Sequence, residues 1–312
     1  MNVSRLCLGT MTFGEQLDES ASIRVVEEAI ELGINFIDTA DVYVGGQSEI
    51  ITGNALKGKR DKVVLASKVA GVVGPDPLTD RGLNHHHIVS GVEESLRRLQ
   101  TDYLDIYYMH HPDRDTPIEE SLAAMDELVQ SGKVRHVGMS NFASWQVCHA
   151  LWKSDAARWV KPSVLQLPYN LVTRSIDEEC VEFSQAFDLG MVVYNPIAGG
   201  LLSGKHSRER AAVGTRLSDN EQYIGRYWHD SMFSAVEALQ VIANEMGISL
   251  IDLSYRWLMG KSFVDSVIVG VSRVEHLNAN VAASAGRLDE STINACDEVW
   301  SRLRGPHFKY NR

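Results

Sequence analysis

The chain has no excess of positive charge: 30 Lys and Arg against 41 Asp and Glu leave a formal net charge of −11 over 312 residues. Nucleic acids and anionic membrane surfaces select clustered Lys and Arg, so the balance argues against both as general partners. No run of about 18 apolar residues occurs, and the start, MNVSRLCLGT, lacks a charged stretch followed by an apolar core. A cytoplasmic location is therefore the expectation. Cysteine is scarce, with Cys7, Cys148, Cys180 and Cys296 in no CxxC spacing. Free buried thiols in a reducing compartment are the simplest reading. Neither GxGxxG nor GxxxxGK[ST] is found, which weakens the case for an open dinucleotide-binding sheet or a P-loop.

What the chain does have is alternation. Short β-like runs recur at residues 4–9, 35–39, 62–68, 103–110, 134–140, 163–167, 191–195 and 266–270. Amphipathic helical patterns separate them at 21–33, 48–57, 86–99, 118–131, 144–153, 178–189, 231–246 and 273–284. Eight such pairs predict an α/β protein of the (β/α)8 TIM-barrel class, here one domain over residues 1–312. Asp18 or Ser20, Asn84 and Ser272 suit helix N-caps, and Gly33, Gly132 and Gly190 suit left-handed helix ends. Two further helical stretches, 249–259 and 288–304, and the segment 205–230 exceed the barrel's needs. A connection as long as the last is better explained by function than by neglect.

Barrels of this kind carry chemistry at the C-terminal ends of their strands. Collected there are Asp38, Asp41 and Tyr43 after strand two, Lys68 on strand three, and His110 and His111 after strand four. Ser140 and Asn141 follow on strand five, Gln166 on strand six, Tyr194 and Asn195 on strand seven. A lysine beside Asp38 stays charged, and a charged lysine steadies the negative charge that develops on a tyrosine giving up its proton. An imidazole adds a hydrogen bond to a substrate oxygen. Nothing here serves as a covalent nucleophile. The group polarises and protonates a carbonyl, and a carbonyl reduction also needs a hydride that side chains cannot supply.

The motifs CLGTMTFG, FIDTADVY, ASKV, SLRRLQTDYLDIYYMHHPD, GKVRHVGMSNF, LQLPYN and YNPIAGGLLSGK, in this order, resemble those of the aldo-keto reductase superfamily from about residue 4 to 285. The nearest branch in pattern is that of bacterial aryl-alcohol dehydrogenase-like proteins and potassium-channel β subunits. The resemblance implies a catalytic tetrad of Asp38, Tyr43, Lys68 and His110, with Tyr43 as proton donor and Asp41 shaping the loop. It implies a pocket walled by Tyr43, His110 and His111. It implies an NADP(H) cofactor, with Ser140, Asn141 and Gln166 on the carboxamide and Tyr194 stacked on the ring. Gly9, Thr10, Met11, Asp38, Asn195, Pro196, Ile197, Gly199, Leu201, Lys205, Arg216 and Gly270 complete the cofactor set. Ser272 and Arg273 are placed on a 2′-phosphate, with His276 and Asn280 near the adenine. The implied activity is reduction of an aldehyde or ketone by NADPH. The alternatives are a reductase of keto-sugars, including nucleotide-linked deoxysugars, and a slow NADP-binding regulatory protein.

The chain departs from the family pattern in starting almost at strand one, without the N-terminal hairpin that plugs the barrel bottom. The stretch GPHFKYNR, residues 305–312, is the candidate replacement. His111 stands where relatives often carry tryptophan or arginine, and Ala279 where many carry an acidic residue. Consecutive His85, His86 and His87 point about 100° apart on a helix and cannot share a metal, so they read as a solvated helix start. His110, His111 and Asp113 lack a ligand pair on strand one, so no metal site is expected. Trp145, Trp152 and Trp159 read as packing residues. Tyr227 and Trp228 are open between packing and substrate contact.

Overall fold

Strands buried on both faces show little polar alternation, and each of the eight apolar runs becomes one short parallel strand. They are β1 Leu6–Gly9, β2 Phe36–Asp38, β3 Val64–Val69, β4 Leu104–Met109, β5 Val134–Ser140, β6 Val164–Pro168, β7 Gly190–Tyr194 and β8 Ser266–Gly270. In the computed structural model, which describes residues 1–305 apart from the side chain of Asp219, they form a closed barrel in sequence order, with β8 pairing back onto β1. The expected (β/α)8 class is thus the observed one. Register sets which residues share the barrel interior. Lys68 lies beside Tyr108, and Tyr108 beside Gly138. A Cβ at Gly138 would fall 2.3 Å from the Tyr108 ring, so only glycine leaves that ring its place.

The helices are α1 Glu19–Glu31, α2 Gln47–Ala55, α3 His85–Leu99, α4 Ile118–Gln130, α5 Ser144–Ala157, α6 Cys180–Ala186, α7 Arg216–Asp219, α8 Glu221–Tyr227, α9 Asp230–Glu245, α10 Leu250–Met259, α11 Val274–Ser284 and α12 Glu290–Arg304. Asp18 caps α1 by accepting from the Ala21 N–H at 2.7 Å, and Asn84 caps α3 by accepting from the His87 N–H at 3.0 Å. Such caps are each worth about 1 kcal/mol. Ser272 instead bonds His276 Nδ1 through its hydroxyl, two residues before α11 begins. Gly190 does not close a helix but opens β7; the left-handed residue after α6 is Asp188, with φ 53°.

Contacts divide the chain into two compact units: Met1–Leu167 with Glu182–Val192 and Asp265–Leu277, and Pro168–Val181 with Val193–Val264 and Asn278 onward. In the first, the N-terminal rim holds an arginine clamp. Arg60 and Arg135 both bond Asp105, at 2.8 and 2.9 Å, and both stack on Tyr103. Of the suggested plug, residues 305–312, all but Gly305 lie outside the described residues. The second unit is built round buried Arg174, which bonds Asp177 at 2.9 Å and Asp297 at 2.6 Å and lies over Trp257.

Two sequence expectations are corrected here, and a third point, left open by the sequence, is described with them. Trp145 and Trp152 are 68% and 67% exposed, because Val147, Ala150, Leu151 and Ser154 take the inward face of α5 and residues seven apart fall on the other. His87 is not solvated: it is fully buried, with Nδ1 at 2.9 Å from the Gly82 carbonyl. Tyr227 is fully buried in α8, and Trp228 packs edge-on against Phe233, so both are packing residues.

Candidate active site

Asp38 ends β2, and the chain then turns sharply. The Thr39 N–H donates to the Ala66 carbonyl at 3.0 Å, and the Tyr43 N–H donates back to the Ala40 carbonyl at 3.2 Å. This turn folds Tyr43 over the strand end. From the neighbouring strand Lys68, fully buried, donates through Nζ to Asp38 Oδ1 at 2.5 Å, to the Thr39 carbonyl at 2.7 Å and to the Tyr43 hydroxyl at 3.3 Å. Burial alone would pull the lysine pKa down, but attraction to Asp38, and then to Tyr43, outweighs it and holds the ammonium charged, above the usual lysine range. The second Asp38 oxygen accepts from Gln166 Nε2 at 2.8 Å. A buried carboxylate is tolerated here because both oxygens are bonded.

His110 follows β4, its N–H donating to the Val69 carbonyl at 2.8 Å. Its ring meets the Tyr43 ring edge-on, with centroids 5.9 Å apart. Burial first, then the charges of Lys68 and His111, push the imidazole pKa well below the usual range, so it is neutral. Asn141, at φ 64°, donates through Nδ2 to the His110 carbonyl at 2.9 Å and to Ser140 Oγ at 3.1 Å. The structure thus brings together Asp38, Tyr43, Lys68 and His110, and binds Gln166, Ser140 and Asn141 to their frame. This is a charged amine beside a phenol, with a neutral imidazole on the phenol's edge.

Comparison with known proteins bears on what such a site does. The family model for the aldo/keto reductase family matches residues 5–301. The chain belongs to the aldo/keto reductase family. It is 35% identical over 315 residues to aflatoxin B1 aldehyde reductase member 2 of Mus musculus, covering 95% of this chain and 84% of that protein. It is 37% identical to the aldo-keto reductase YhdN of Bacillus subtilis, over 99% and 94%. It is 33% identical to a probable voltage-gated potassium channel subunit beta of Oryza sativa, over 91% and 88%. The family and the aldehyde reductase relative place it among oxidoreductases that reduce carbonyl compounds. Among the described residues no helix is long and apolar enough to cross a membrane.

The remaining residues expected at an aldo/keto reductase cofactor site fall as follows. In the first unit, Gly9 closes β1 where a Cβ would lie 2.7 Å from an Ile268 methyl. Thr10 is fully buried, its hydroxyl shared between the Asp38 carbonyl and Ser48, its N–H donating to the Asp38 carbonyl and its own carbonyl accepting from the Ser48 hydroxyl and the Phe13 N–H. Met11 is 37% exposed; Gly270, Arg273 and His111 are exposed, and Ser272 and His276 half-buried. In the second unit, the Tyr194 carbonyl accepts from the Tyr169 N–H. Asn195, at φ 60°, accepts from Asn170 at its carbonyl and from the Tyr223 hydroxyl at Oδ1, while its buried Nδ2 has no partner among the described residues. Pro196 and Ile197 lie in the turn closed by the Ala198 N–H on the Asn195 carbonyl. Gly199 lies under Tyr223, where a Cβ would be 2.4 Å from the ring. Leu201 and Asn280 are buried, Lys205 is exposed, and Arg216 donates to the Tyr223 hydroxyl at 3.4 Å. Tyr223 itself, which braces both Asn195 and Arg216, was missed in the sequence, where NEQYIGRYWHD carries no sign of which aromatic turns inward.

Proposed function

We propose that the protein reduces an aldehyde or ketone to the alcohol with NADPH, Tyr43 giving its proton to the carbonyl oxygen. The observation that carries this reading is the 3.3 Å approach of Lys68 Nζ to the Tyr43 hydroxyl, with Asp38 held against the same nitrogen. A free phenol, with a pKa of about 10, is a poor acid at neutral pH, and an adjacent fixed positive charge favours its phenolate. Asp38 keeps that charge in place. His110, being neutral, offers a hydrogen bond to the substrate oxygen without competing for the proton. NADPH, when bound, supplies the hydride.

The residues present fit such a cofactor. In the first unit, Ser140, Asn141 and Gln166 form a set of donors and acceptors suited to a carboxamide, and Arg273 at the start of α11 offers a planar fork for a 2′-phosphate. In the second unit, the buried Asn195 Nδ2 lacks a protein acceptor, and Gly199 and Gly200, at φ 66° and 108°, leave main chain open to close approach. The loop after β3 exposes Val72, Val73 and Leu78, at 68%, 46% and 63%, which favours a substrate with an apolar flank over a sugar.

The test is NADPH absorbance with a panel of apolar aldehydes, aromatic aldehydes and keto-sugars, with NADH in parallel. Wild type should turn over the apolar members best and prefer NADPH. Tyr43→Phe should bind NADPH as before and lose about 10²-fold or more in kcat. Undiminished turnover in that variant would remove Tyr43 as proton donor.

A further inference from the structure

Taking Tyr43 as the proton donor, we propose that Asp41 is a positioning residue, held as the neutral acid behind the site, whose ionisation weakens proton donation by Tyr43 through Lys68. Asp41 is 2% exposed, and neither of its carboxyl oxygens has a hydrogen-bond partner among the described residues. A buried carboxylate in that condition is costly; a buried carboxylic acid much less so. The pocket explains why no cation rescues it. One guanidinium, Arg98 of α3, faces two carboxyls, and Glu49 of α2 has taken it: Arg98 Nε donates to Glu49 at 2.6 Å, and the Ser67 hydroxyl donates to the same carboxylate at 2.5 Å.

The groups acting on Asp41 come from each element packed round it. They are Glu49 from α2, Arg98 from α3, Lys68 from β3 and Tyr107 from β4, whose buried hydroxyl is also unpartnered. Burial first, and Glu49 second, push the Asp41 carboxyl up to about 8. Arg98, Lys68 and the Val42 N–H, whose approach falls short of a hydrogen bond, pull it back by less.

The consequence for Tyr43 follows from charge and connection. The Asp41 N–H donates to the Lys68 carbonyl at 3.3 Å, in the same turn that places Tyr43. Below its titration Asp41 adds no charge, and the Lys68 ammonium acts on Tyr43 with Asp38 as its neighbouring counter-charge. Above it, the Asp41 proton is lost to solvent, and a second negative charge screens Lys68. The Tyr43 phenolate is then less favoured, so the phenol is a weaker acid. No proton passes from Asp41 to the substrate.

The experiment compares kcat for aldehyde reduction by saturated wild type and Asp41→Asn over about pH 6–9.5. Asn is isosteric and always uncharged, so the two should agree within about twofold near pH 6.5, and Asn should exceed wild type by about fivefold or more near pH 9. NADPH KM should match throughout. Profiles that superimpose, or that differ by one constant factor, overturn the proposal. Should Asp41→Asn fold poorly, carbon-13 NMR of aspartate-labelled wild type decides. One carboxyl titrating between about pH 7 and 9 is expected, and all of them titrating below about pH 6 overturns it. If Tyr43→Phe is inactive while the profiles superimpose, Tyr43 keeps its role and only Asp41 loses its own.

Discussion

Ser67 and Lys68 are neighbours in β3, yet their side chains serve two polar layers on opposite faces of the barrel wall. Ser67 Oγ donates outward to Glu49 of α2 at 2.5 Å, and Lys68 Nζ donates inward to Asp38 at 2.5 Å. The strand's period of two makes this obligatory. The inner layer holds the residues proposed for the chemistry, and the outer layer places Glu49 and Arg98, with Asp41 nearby, behind it.

Removing the inner cation should therefore be costly beyond catalysis. Among the described residues, Lys68→Met leaves Asp38 with only Gln166 as a side-chain donor, in a site where both Asp38 and Lys68 are nearly inaccessible. The expected loss is about 3–5 kcal/mol of unfolding free energy, with kcat falling in parallel. The double variant Asp38→Asn/Lys68→Met should be more stable than Lys68→Met alone, because no unpaired charge is left. Urea denaturation of the three proteins checks the order.

The barrel and its inner layer were legible in the sequence because each depends on local pattern. All eight strands lie within a residue or two of the apolar runs, and Asp38, Tyr43, Lys68 and His110 converge because each stands at a strand's C-terminal end or in the turn just beyond it. The outer layer was not legible. Glu49 and Arg98 meet across 49 residues of sequence, and nothing in HHHIVSGVEESLRRL shows which arginine turns inward. Similarly, Trp145 and Trp152 looked like core by residue type, and only the packing of α5 decides that they face outward.

Gly71 offers a steric test of how tightly Tyr43 is placed. A Cβ there would lie 2.0 Å from Val42 Cγ1, and the loop it begins is closed at its neck by the Gly82 N–H on the Ala70 carbonyl at 2.9 Å. With the loop pinned, Val42 must move, and Tyr43 with it. Gly71→Ala should lower kcat about tenfold or more while NADPH Kd stays within about twofold. Stopped-flow single turnovers with fluorescence titration of NADPH separate the two; unchanged kcat would show that the turn yields elsewhere.

Arg273 tests the choice of cofactor. It is exposed at the start of α11, where a guanidinium fork suits a phosphate dianion. Arg273→Ala should raise the KM for NADPH about tenfold or more and leave that for NADH within about twofold, because only NADPH carries the 2′-phosphate. Equal effects on both cofactors would instead place Arg273 on a shared phosphate.

Stability should carry the mark of Asp41 even without substrate. Its folded pKa, pushed up to about 8, lies above the ordinary value of 3.8, so between those values the folded protein holds a proton that the unfolded chain has released. Rising pH then favours the unfolded chain, and the penalty grows from about pH 4 and levels off above about pH 8. Asn at this position titrates nowhere. The melting temperature of Asp41→Asn relative to wild type should therefore climb between about pH 5 and 8, by an amount equivalent to a few kcal/mol at most, and then stay flat. Calorimetry across that range checks the slope, and a difference that stays flat from about pH 5 to 8 would mean that Asp41 is held ionised.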